Sequence, residues 1–383
     1  MKNLFNKPLI DITAGVLAKR SQTLGFAFDQ AGFIQDAAKD LDSLELKARS
    51  HQITRALSRY LPSTYQESIE ILNSALLPIN PNSDLKNITA SEQGLAGWIL
   101  MPISDYIGIN GQSDIPLALE ALKQTTQRFT SEFGIRHLLL TQPQSCLSIM
   151  ATWLDHECHH VRRLISEGTR PLLPWAMQLP EFKTNPNWVL PLLEILKDDP
   201  SEYVRRSVAN HINDISKSHP ELVAEISGRW LASMPQQKDL ASNRHKTVKH
   251  ACRTLIKAGD KRVLEHFGFQ SNPPIEVSLS LSKDEINLGE SVEMSCLLHN
   301  PTSEPQSIII DYQVRHKRAN GSQSAKVFKW KTLELGSNEQ VILKKMHPFK
   351  VITTRVYYEG TQGVDIQING EIRASKNIEL KMK

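Results

Sequence analysis

The chain repeats itself. Trp153-Leu154-Asp155 followed by Val161-Arg162-Arg163 aligns with Leu196-Lys197-Asp198 followed by Val204-Arg205-Arg206 at an offset of 43 residues, and Val248-Lys249-His250 is a weaker third copy 44 residues further on. A period of about 40–47 residues is that of HEAT and armadillo units. In such arrays each repeat is a helix pair that buries its apolar stripe only by stacking on its neighbours. The marks of the repeat have physical roles: the turn Asp can cap the second helix, the Val packs inward, and the Arg can bridge to the next repeat. Segments 51–61 and 65–77 share the helical periodicity with a poorer echo, as terminal repeats do.

Near Phe269 the pattern changes from three- and four-residue spacing to strict alternation. Ile275, Val277, Leu279 and Leu281 alternate with polar residues, as do Val292, Met294, Cys296 and Leu298. Further strand-like runs lie at 308–314, 326–335, 340–343, 353–358, 364–368 and 378–382, separated by turn signals such as Asn320-Gly321 and Asn369-Gly370. Seven or eight short strands in this span predict an immunoglobulin-like sandwich, without the Cys…Trp…Cys spacing of antibody domains. The polar, Pro-rich stretch Gln270-Ser271-Asn272-Pro273-Pro274 reads as a linker. The expected architecture is therefore mainly α, a HEAT-like α-solenoid over 1–269 followed by a small all-β immunoglobulin-like sandwich over 275–383.

Composition narrows the class without naming a function. No run of 18 apolar residues occurs, so no membrane span is expected, and the first twenty residues lack the pattern of a signal peptide. Cys146, Cys158, Cys252 and Cys296 are scattered, which fits a reducing, cytoplasmic setting. The net charge of +4 permits a polyanionic partner but does not require one.

The echo breaks at two carboxylates. Glu167 follows the apolar stripe Val161, Leu164, Ile165 of one repeat helix, and Gly168 and Pro171 then stop that helix. In the matching helix the stripe is Val204, Val208, Ile212 and Ile215, and Glu167 aligns with Asn210, one turn before Asp214. Stacked repeats can turn both carboxylates towards one groove, where they stabilise an oxocarbenium-like sugar and orient water. They can equally pair with repeat arginines such as Arg170 or Arg206. Spacing alone leaves both readings open. At Asp155-His156-Glu157-Cys158-His159-His160 a zinc site competes with an ordinary polar turn. The parallel segment Asp198-Asp199-Pro200-Ser201-Glu202-Tyr203 has no ligand set, so a His-rich turn near phosphate is the favoured reading and no metal is expected.

Two long motifs settle the resemblance. Ser-Glu-Gly-Thr-Arg-Pro-x-x-Pro-Trp ending at Trp175, and Val-Arg-Arg-Ser-Val-Ala-Asn-His-Ile-Asn-Asp-Ile-Ser-Lys-x-His-Pro from Val204, resemble the AlkC branch of the HEAT-repeat alkylpurine DNA glycosylases. The likeness takes in residues 249–260, Val327-Phe328-Lys329-Trp330-Lys331 and Ile352-Thr353-Thr354-Arg355, and it is weaker before Gln93. It implies a monofunctional base-excision glycosylase that acts without a cofactor. Its substrates would be cationic N-alkylated bases of the 3-methyladenine class, with 3-methylcytosine and 1-methyladenine as candidates.

Carried over by motif, Glu167 and Asp214 would be the catalytic carboxylates, while Trp175, Glu132 and Arg170 would contact the lesion nucleotide. Full base flipping is not required in the wider family. Leu172 stands where members often carry a basic residue, so no phosphate contact is expected there. Arg136, Arg162 and Arg206, with Arg315, Lys317 and Arg318 at a basic strand end of the sandwich, are expected to contact double-stranded DNA. A monomer suffices for this role. The alternative is a non-catalytic HEAT scaffold that binds DNA or protein.

Overall fold

The computed structural model describes residues 2–79, 85, 87–353 and 355–382. It forms two compact units, Met1–Ser218 with Gln236–Ala251 and His219–Pro235 with Cys252–Lys383. The helices just before the 270–274 segment therefore group with the strands rather than with the earlier helices.

The first unit is a HEAT-like array. Helix Leu46–Tyr60 stacks on Leu100–Asn110 and that on Ile135–Thr141, while His159–Gly168 stacks on Glu202–Ile215 and that on Lys238–Ala251. The repeat stripe is the packing stripe: Val161, Leu164, Ile165, Val204, Val208, Ile212 and Ile215 are all buried. The echoed arginines are structural. Arg162 holds Asp199 of the next repeat through both carboxylate oxygens, at 2.6 and 2.9 Å, and Arg205 donates to the carbonyls of Asp199 and Pro200.

The turns also echo, one residue later than expected. Asp199 Oδ1 accepts from the Ser201 N–H at 2.8 Å, and 43 residues earlier His156 Nδ1 accepts from the Cys158 N–H at 3.0 Å. Asp198 instead pairs with Arg244.

In the second unit, helices Pro220–Ala232, Arg253–Ala258 and Lys261–His266 accompany the sandwich. Its strands are β1 (Glu276–Leu281), β2 (Glu285–Asn287), β3 (Ser291–His299), β4 (Gln306–Lys317), β5 (Gln323–Leu335), β6 (Gln340–Pro348), β7 (Gly360–Ile368) and β8 (Glu371–Lys381). They form sheets of order β1-β3-β6 and β2-β8-β7-β4-β5. All pairs are antiparallel except β2 with β8. The inward residues of the alternating runs, such as Val292, Met294, Cys296, Leu298, Val364 and Ile366, fill the core between the sheets. Gly259 and Gly370, both at positive φ, meet so closely that a Cβ on either would strike the other's backbone. That contact ties the end of Arg253–Ala258 to the β7–β8 turn.

The strand expected over 353–358 is absent. Apart from Thr354, which lies outside the described residues, that segment carries only an isolated bridge between Ile352 and Arg355. Val356 and Tyr358 are exposed while Tyr357 alone is buried in the sandwich core among the segment's described residues, so the run packs one ring without pairing as a strand. β2 went unpredicted because three residues carry too little alternation to read.

Candidate active site

Glu167 is the penultimate residue of His159–Gly168, and Asp214 that of Glu202–Ile215. Because these helices pack side by side, both carboxylates end in one interface, 5% and 3% exposed respectively. The chain leaving the first helix returns Arg170 between them. Its Nη1 donates to Glu167 Oε1 at 2.7 Å and its Nε to Asp214 Oδ2 at 2.9 Å. Of the two arginines the sequence left open as partners, Arg170 is the one both carboxylates pair with, and they converge on it. Arg206 takes no part, since it pairs with Glu202 on the surface.

A second guanidinium closes the cluster. Arg163 reaches Glu132 Oε2 at 2.7 Å and Glu167 Oε1 at 3.5 Å, and lies over the Tyr203 ring at 4.6 Å. Burial works against the charge on Arg170, but Glu167 and Asp214 outweigh it and raise its pKa. Arg163 is raised in the same way, burial being outweighed by Glu132 and Glu167. Both arginines are therefore fixed cations, and the carboxylates are held before any ligand arrives.

The two central carboxylates are not equivalent. Glu167 Oε2 accepts from Ser207 Oγ at 2.6 Å, and Ser207 in turn accepts from Ser166 Oγ at 2.7 Å, so both Glu167 oxygens are committed to buried donors. Asp214 Oδ1 instead meets Lys217 Nζ at 3.3 Å, and that lysine is 46% exposed. Beneath the cluster, His211 Nδ1 lies 2.9 Å from the Ser166 carbonyl, which requires Nδ1 to carry the proton and leaves the buried Nε2 as a bare acceptor. Burial, assisted by Arg170 and Arg136, pushes the His211 pKa down to about 3.

Arg136 is placed otherwise than expected. It is fully buried and donates to the carbonyls of Gly168, Arg170 and Met177, which pins the 168–177 loop. Burial and the nearby Arg170 lower its pKa to about 10. Its guanidinium is thus inside the protein, away from any duplex. Arg162 is likewise committed to Asp199, and Arg315 to Asp365 at 2.9 and 3.1 Å, over a Gly363 whose missing Cβ leaves it room. These three are structural arginines. Of the residues expected to contact DNA, those outside buried ion pairs are Arg206 in the first unit and, in the second, Lys317, whose Nζ donates to the Glu359 carbonyl, and the exposed Arg318 at a hairpin tip.

Trp175 ends the pinned loop at φ 66°, a left-handed conformation that costs a non-glycine residue on the order of 1–3 kcal/mol. It is 59% exposed and lines a cavity that includes neither Glu167 nor Asp214. Trp175 therefore follows Glu167 along the loop but shares no pocket with the two carboxylates. In the His-rich turn, His159 and His160 stack at 4.1 Å beside Tyr203, and His156 serves its turn. Among the described residues no group of three or more His, Cys, Asp or Glu is arranged to hold a metal, and no helix is long and apolar enough to cross a membrane.

Arg163 and Ser207 were not singled out from sequence. Arg163 carried a signal, since it is the second Arg of the echoed Val-Arg-Arg beside the departing Glu167. Ser207 carried none, because a small polar residue in a helix is ordinary.

Known proteins share this arrangement's scaffold. Residues 276–382 match the family described as "Uncharacterised protein YhaZ, C-terminal Ig-like domain". The YhaZ protein of Bacillus subtilis (strain 168) is 35% identical over 343 residues, 89% of each chain. The structure of the Pseudomonas fluorescens alkylpurine DNA glycosylase AlkC, bound to DNA containing an abasic site analog, superposes with a TM-score of 0.86 over 99% of both chains at 31% identity. The chain belongs to the family of YhaZ and AlkC, a HEAT-like solenoid carrying a C-terminal immunoglobulin-like domain.

Proposed function

We propose that this protein is a DNA glycosylase of base-excision repair that hydrolyses the N-glycosidic bond of cationic N-alkylated bases. The observation that carries the reading is the convergence of Glu167 and Asp214, from adjacent repeats, on one buried guanidinium. The likeness to AlkC supports DNA as the partner and alkylpurine repair as the setting.

The chemistry fits a site without a strong general acid. A base alkylated at a ring nitrogen already carries positive charge and departs without protonation. What remains is to stabilise the developing sugar cation and to place a water. Carboxylates locked in position by Arg163, Arg170 and Ser207 do this without reorganisation, which is where electrostatic catalysis is most effective. Of the two, Asp214 takes the substrate-facing role, because its Oδ1 is met only by the half-exposed Lys217. Glu167 orients Arg170 and, through it, Asp214. Glu132, Arg170 and Trp175 supply further lesion contacts, and Arg206, Lys317 and Arg318 contact the duplex. The catalytic domain spans 1–269, the sandwich 275–383, and a monomer acts alone.

Base release from duplexes carrying 3-methyladenine, 7-methylguanine, 3-methylcytosine or 1-methyladenine tests the reading. Wild-type protein is expected to release at least one, with Asp214→Asn and Glu167→Gln each lowering the single-turnover rate by about 10²–10³. Release of none of the four bases sinks it, and leaves a DNA- or protein-binding scaffold.

A further inference from the structure

We propose that the N-terminal part of the first unit holds a DNA-strand subsite beyond the carboxylate cluster, formed by the basic row Lys47, His51 and Arg55 at the cavity that Trp175 also lines. The inference rests on the DNA partner of the preceding reading, not on its chemistry. Lys47, His51 and Arg55 stand at i, i+4 and i+8 on helix Leu46–Tyr60, so they share one face. All three are exposed and line one cavity of about 350 Å³ together with Trp175, Met101 and Met177. Among the described residues none of the three has an ion pair or side-chain hydrogen bond, unlike Arg59 on the same helix, which is bound to Asp36 at 2.8 Å. Asp105, the acidic lining residue, is buried and faced by His137 Nε2 at 3.6 Å.

Two cations, Lys47 and Arg55, with a histidine hydrogen-bond donor between them call for a partner with regularly spaced negative charge. The row spans about 12 Å of helix axis, a length over which one DNA strand presents roughly three to four phosphates at about 3.4 Å per step. The same cavity is lined by an exposed indole held in place by the pinned loop, and by the exposed Met177. A polyanion that also carries flat aromatic groups uses both kinds of lining at once: phosphates on the basic row, a base or deoxyribose face on Trp175. An acidic peptide would satisfy the cations and leave the indole unused.

The test uses the full chain and a lesion-free fluorescent duplex, with anisotropy read across a salt series. The triple variant Lys47→Gln/His51→Gln/Arg55→Gln is expected to weaken binding at least tenfold at low salt. It should also flatten the slope of log K against log salt by about two, as loss of two to three phosphate contacts requires. Arg59→Gln removes one charge from the same helix and is expected to change affinity less than twofold. Trp175→Ala is expected to weaken binding with the salt slope retained. A triple variant indistinguishable from Arg59→Gln overturns the subsite, as does polyglutamate displacing the duplex as well as unlabelled DNA does. If wild-type protein releases no base while the row still sets the salt slope, the glycosylase reading falls and the subsite stands. If base is released and the row is silent, only the subsite falls.

Discussion

Two neighbouring helix interfaces in this protein are built on the same repeat and hold different chemistry. Where His159–Gly168 meets Glu202–Ile215, the echoed position is Glu167, which is buried and bound to Ser207, Arg163 and Arg170. Where Glu202–Ile215 meets Lys238–Ala251, the same position is Asn210, whose Oδ1 lies 3.0 Å from His250 Nε2 beside an open groove of about 320 Å³. The echoed arginines diverge in step. Arg163 is 14% exposed and clamped between two carboxylates, while Arg206 is 60% exposed and paired only with Glu202. The scaffold fixes where side chains meet, and one substitution per repeat decides whether the meeting point is a neutral polar contact or a buried charge array.

That contrast breaks most visibly at Arg170. Removing one partner of a buried charge cluster leaves the others uncompensated, at a cost of about 3–5 kcal/mol. Arg170→Ala strands both Glu167 and Asp214, so the thermal transition of the helical unit should fall by many degrees. Arg206→Ala removes a solvent-screened surface pair and should shift the midpoint barely at all. Scanning calorimetry of both variants decides the matter. Equal shifts would mean that the first interface is no more charge-dependent than the second.

A pH titration sharpens the same difference. His211 lies under the charged interface with a pKa depressed from 6.5 to about 3. The unfolded chain therefore binds a proton that the folded chain refuses between those values. Its contribution is fully present above pH 6.5 and is lost as pH falls towards 3, by about 1.4 kcal/mol per pH unit. His211→Gln, which keeps a donor for the Ser166 carbonyl, should flatten the stability profile by that slope between roughly pH 6 and pH 4. Denaturant midpoints across that range read it. An unchanged slope would show that His211 is solvated or protonated in the fold.

The sequence made the scaffold legible and left the site half-read, for a physical reason. Val161 and Val204 recur because packing against a neighbour is periodic, and period is what a single chain displays. Glu167 and Asp214 showed as departures from that period. Pairing with Arg170 showed only as one of two options, Arg206 being the other, because Arg170 lies in a loop whose return path is set by Arg136 donating to three carbonyls. A buried arginine serving backbone looks, in sequence, like an exposed one serving DNA, and Arg136, Arg162 and Arg315 were all read in that second way. The run at 353–358 misled in the opposite direction, since alternation indicates a strand only where a sheet has a free place to take it.

The smallest effect is expected at Asn210, and it tests whether position alone confers importance. If the echoed site were structurally essential in every repeat, Asn210→Ala would cost as much as a change at Glu167. The geometry argues otherwise. Asn210 makes a hydrogen bond to His250, of the kind worth about 0.5–1.5 kcal/mol net, and His250 lines a groove that water can enter to replace the lost partner. Asn210→Ala should therefore lower stability by about 1 kcal/mol or less and leave single-turnover base release within twofold of wild type. Ser207→Ala, three residues earlier on the same helix, takes a donor from buried Glu167 and should reduce release clearly. A large loss of release at Asn210 would place chemistry at the second interface as well, and the distinction between the two would have to be abandoned.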